Sequence, residues 1–136
     1  MKKPVLLLLV LFLIVIASCK KTSESANFRN LTSITWKSDT MMADGVIADG
    51  PGQMLEKFKG DARFNADGQG YFGQYSGTWR FSNNEKYLVI ESDSLAVPLT
   101  ANIVLLTAEN FKITTSYPNP YDPFKPFSIR MTFIPK

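Results

Sequence analysis

Apolar and polar side chains alternate with period two along most of this chain, the mark of strands with one buried face. In TSITWKSDT, Ile34 and Trp36 fall on one face, and Thr35, Lys37 and Asp39 on the other. Phe64 sits between Arg63 and Asn65, and Trp79 and Phe81 share a face opposite Arg80. Leu88 aligns with Ile90, and Val97 to Leu106 reads as a longer apolar strand interrupted near Pro98. Phe111 and Ile113 alternate with Lys112 and Thr114, and Ile129, Met131 and Phe133 alternate with Arg130 and Thr132. Turn residues punctuate these runs. Asp67-Gly68 marks a hairpin before Tyr71. Asn83-Asn84-Glu85 and Ala108-Glu109-Asn110 mark two more turns. The pattern predicts an all-β fold of seven to eight antiparallel strands. A meander this long closes into a barrel or folds into two sheets, because open edges invite aggregation.

Two stretches depart from the alternation. In PGQMLEKFKG, residues 51–60, Met54, Leu55 and Phe58 are spaced as on a helix, with Pro51 and Gly60 as start and stop signals. A short helix after the first strand and a further strand both fit. The other is the N-terminus. Lys2 and Lys3 precede an apolar run from Val5 to Ile16, followed by Ala17 and Ser18. That is the layout of a secretory signal. The run is shorter than the roughly 20 residues that a bilayer-spanning helix needs.

The lone cysteine, Cys19, follows at once. Ile16-Ala17-Ser18-Cys19 resembles the lipobox of bacterial lipoproteins. The resemblance implies cleavage before Cys19, a diacylglyceryl group on its sulfur and acylation of the new amine, palmitate being a typical chain. Two or three acyl chains give a stable membrane anchor where one does not. No other cysteine remains to form a disulfide. The expected divisions are a signal peptide at 1–18, a lipidated cysteine with a flexible tether at 19–30, and one domain at 31–136. Residue 20 is not aspartate, and KKTSES carries a single acid, Glu24. An outer-membrane anchor facing the periplasm is therefore expected, with exposure at the cell surface as the alternative.

Loss of Lys2 and Lys3 brings the formal charge from +3 down to +1. The high isoelectric point therefore does not argue for nucleic acid. The chain has no histidine, so Ser-His and Cys-His pairs and histidine metal sites are excluded. Glu91 and Asp93 would share a strand face, where paired carboxylates can do acid–base work, but a solvated strand end is the simpler reading. No calcium-loop or nucleotide-binding spacing is present, so neither metal nor cofactor is expected and the chain reads as a non-enzyme.

The lipobox, LTSITWKSD, FNADGQGYFGQYSGTWRFSNN, LVIES, IVLLTAENFKI and the terminal RMTFIPK together resemble the lipocalin-like domains of Bacteroidetes lipoproteins. The resemblance implies a small up-and-down calycin-type barrel over residues 31–136. Trp36, Phe64, Trp79, Phe81, Leu88, Ile90, Phe111, Met131 and Phe133 would line its interior. They would either pack against one another or enclose a small apolar ligand, since an eight-stranded barrel has room for one or the other. In YPNPYDPFKPF, residues 117–127, four prolines interleave with Tyr117, Tyr121, Phe124 and Phe127. This segment reads either as a rim that grips a ligand or protein partner, or as a stiff link whose rings cap the barrel.

Overall fold

The computed structural model describes residues 24–136. The expected signal peptide and the expected lipidation site Cys19 lie outside the described residues. The fold is the expected one, a closed antiparallel β-barrel. Its nine strands are β1 (Thr35–Ala43), β2 (Val46–Ile47), β3 (Asp61–Phe64), β4 (Gln69–Phe72), β5 (Tyr75–Ser82), β6 (Tyr87–Glu91), β7 (Leu99–Leu106), β8 (Phe111–Tyr117) and β9 (Phe127–Pro135). Eight of them form the ring in sequence order, and β1 pairs with β9 to close it. The two-residue β2 folds back on the end of β1 through the turn Asp44-Gly45. Both turn residues have positive φ, 50° and 80°, as a two-residue hairpin of primed type requires. In an up-and-down ring, connections alternate between the two ends of the barrel. The β1–β3, β4–β5, β6–β7 and β8–β9 links share one end. The N-terminus and the other three turns share the opposite end.

Residues 26–30, expected at the end of the tether, instead belong to a helix, α1 (Ala26–Thr32). Ser25 caps it, its Oγ accepting the Phe28 amide at 3.0 Å. Seven residues would not hold a helix in water, so packing holds this one. Leu31 is fully buried, Phe28 lies 5.9 Å from the Trp79 ring, and Trp36 Nε1–H donates to the Leu31 carbonyl at 3.3 Å. α1 touches both β3 and β7, which stand opposite each other in the ring. It therefore lies across the barrel mouth at the N-terminal end.

The 51–60 segment is not a strand. It turns, with one 3-10 turn at Glu56–Phe58, too short for the helical stripe to extend. Leu55 and Phe58 are buried in the core, and Phe58 packs on Tyr75 at 4.6 Å. Gln74 N–H donates to the Lys57 carbonyl at 2.8 Å and stitches the segment to the β4–β5 turn. Residues 24–136 thus carry the ring, a closing segment at each end and one continuous apolar core.

Gly70 and Gly77 pair across β4 and β5, and each lets its strand approach the neighbour on the other side, β3 for Gly70 and β6 for Gly77. A Cβ on Gly70 would lie 2.2 Å from the Arg63 carbonyl oxygen, and one on Gly77 would lie 1.9 Å from that of Glu91. The backbones approach so closely here that no side chain fits, a common device for bending strands into a barrel.

Candidate functional site

The expected interior residues do come together. Trp36, Phe64, Trp79, Leu88, Ile90, Phe111, Met131 and Phe133 are all buried in one cluster, with half-buried Phe81 against it. Period two explains this, since each is an inward position of its strand. Their rings bridge the lumen. Phe64 on β3 meets Trp79 and Phe111 edge-on, each at 5.8 Å, and Phe72 at 5.0 Å. Phe111 on β8 continues to Trp36 at 5.5 Å and stacks on Phe133 at 5.3 Å. Such spacings are those of directly packed aromatic pairs. Ala62, Phe72, Leu99, Ala101 and Ile129 complete the filling. Among the described residues no polar or charged side chain is buried. The buried side chains that meet inside the barrel are therefore all apolar.

Glu91 and Asp93 border an open groove with Ser76, Gly77, Thr78 and Ser92. Both carboxylates are exposed, and Glu91 lies 4.0 Å from Arg80. Among the described residues no group of three or more metal-binding side chains converges. Arg130 points outward while its neighbour Met131 is buried.

The 117–127 segment divides. Tyr117 and Phe127 pair across the ends of β8 and β9, and Phe127 packs against the core edge. Tyr121 is 91% exposed and Phe124 is 97% exposed, so these two rings do not cap the barrel. The loop between is nonetheless ordered by its own polar groups. Asn119 Oδ1 accepts the Tyr121 amide at 2.9 Å, and its Nδ2 donates to the Lys125 carbonyl at 3.1 Å. Lys125 N–H donates to the Asp122 carbonyl at 3.0 Å, closing a turn with Pro123 second and Phe124 third. Asp122 Oδ1 accepts the Phe124 amide at 3.1 Å.

Sequence reasoning missed the neighbour of this loop. Asp44 N–H donates to the Ser128 carbonyl, and Ser128 N–H donates to Asp44 Oδ1, both at 2.8 Å. These bonds hold the β1–β2 hairpin, with Val46 and Ile47 exposed, beside the root of the loop. The Asp44-Gly45 turn was readable, but nothing local said which strand it would meet. At the same end, burial and then the nearby Tyr117 phenol push the Tyr75 phenol above its ordinary value. No family model matches the chain, and no curated protein matches it.

Proposed function

We propose that this protein is a lipid-anchored, non-catalytic envelope module that acts through contacts made outside the barrel, at the end far from its anchor. The observation that carries this reading is the contrast between the two candidate sites. The lumen is crossed by rings in direct contact, whereas Tyr121 and Phe124 stand almost wholly in water on an internally braced loop. Large exposed aromatics on a soluble surface are a signature of interaction sites. The chain enters the barrel at the α1 end, and the β8–β9 loop lies at the other. An acyl group on Cys19 therefore leaves the loop facing away from the point of attachment. The lipobox supports the anchor, and the lipocalin-like resemblance supports the barrel scaffold.

Photo-crosslinking in the native host tests this. With a benzoylphenylalanine in place of Tyr121 or Phe124, a discrete protein adduct is expected. The same group at Tyr87, on the side of the barrel, gives none. Adducts from Tyr87 alone, or lipid adducts at all three positions, would contradict the reading.

A further inference from the structure

We propose that the partner seated on the Phe124 turn is a second copy of this chain, which receives the ring in the groove beside α1. This rests on the reading of the β8–β9 loop as an interaction site.

The knob is convex and stiff. Phe124 projects from a turn in which the Phe124 and Lys125 amides and the Asn119 side chain are bonded internally. Little freedom is lost when such a turn docks. A ring held out this way is covered by a concavity, not by a flat face. It also carries a charge on each side, Asp122 before it and Lys125 after it.

The groove lies at the opposite end of the barrel. Phe28, Trp79 and Phe81 line it, together with Asp67 and Arg80. Its volume is about 300 Å³, and cavities of about 150 Å³ already admit a benzene ring. Phe28 lies 5.9 Å from Trp79 and Trp79 5.5 Å from Phe81, with Phe28 and Phe81 half-buried at the surface and Trp79 buried behind them. The charges match those of the knob, one cation for Asp122 and one anion for Lys125. Arg80 stands at the rim on the outer face of β5, mostly exposed, with Glu91 at 4.0 Å. A lipid bilayer fits the knob less well. Sinking Phe124 into acyl chains would carry along Asp122, whose carboxylate is bonded to the Phe124 amide.

Knob and groove sit on different patches, so the contact is heterologous and propagates head to tail. One ring in one groove is a small interface, so association is weak in solution and gains strength from confinement on a surface.

Sedimentation velocity tests the pairing on residues 19–136 carrying Cys19→Ser, which include every described part of the fold. The sedimentation coefficient is expected to rise with concentration from about 10 μM to about 1 mM, the range of weak contacts. Phe124→Ala and Arg80→Glu, both on exposed side chains, should each hold the protein monomeric. Combining Arg80→Glu with Asp122→Arg should restore association, with circular dichroism checking the fold. A protein monomeric throughout, or association that survives Phe124→Ala, overturns the proposal. If the chain is monomeric and yet Phe124 crosslinks to a different protein in cells, the self-pairing falls and the interaction reading stands.

Discussion

Gly77→Ala is expected to lower stability by roughly 3 kcal/mol or more, the upper range for forcing extra atoms into a packed site. The added Cβ would sit 1.9 Å from the Glu91 carbonyl oxygen and 2.9 Å from its carbon. Both are backbone atoms of β6, which pairs with β5 at Thr78 and Glu91. No rotamer change can relieve the clash, so the strands must separate. For a domain of this size the midpoint of thermal unfolding should fall on the order of 10–20 °C. Thr78→Ala, one residue along and exposed, should fall within about 0.5 kcal/mol of the parent. Thermal unfolding followed by circular dichroism compares them. Equal midpoints would mean that β5 and β6 are not this close.

Trp36→Ala should cost about 3–5 kcal/mol, the range for deleting a large buried aromatic side chain. Trp36 is 0% exposed, packs on Phe111 and donates to the Leu31 carbonyl. It therefore joins the core to the helix that closes the N-terminal mouth. Trp36→Phe keeps a ring and removes the donor. It should cost less, about 1–3 kcal/mol for an unsatisfied buried carbonyl, with the loss centred on α1. Denaturant titration gives the two totals. Hydrogen exchange at the amides of Leu31 and Thr32 should speed up in Trp36→Phe, while those of β8 stay protected. Unchanged exchange in α1 would show that the indole hydrogen bond does not hold the helix.

The strands were legible because each inward position is fixed by its own neighbours. Trp36, Phe64, Trp79 and Phe111 declared themselves through alternation, and Asp67-Gly68 through its turn. Where local pattern and packing part, the sequence said less. α1 was missed because ANFRNLT is one short polar word whose two large apolar residues, Phe28 and Leu31, make too brief a stripe to register. Its cap, Ser25, was present but common. Gly70 and Gly77 gave no warning, since their clashes are with carbonyls on other strands. The alternation through Val104 and Leu105 fails because β7 shifts register between Ile103 and Leu105. Both residues are exposed. At the candidate site, composition marked Tyr121 and Phe124, but not that they stand in water. That depends on Asn119 and Asp122 bracing the loop upon itself.

The central claim is that the barrel is filled and acts through its outer surface. Native mass spectrometry of residues 24–136, produced in a bacterial periplasm and then incubated with an envelope lipid extract, tests it most directly. The account predicts the bare polypeptide mass before and after incubation. An adduct that survives gentle desolvation and disappears on denaturation would contradict it, and would return the interior to the role of a carrier's pocket.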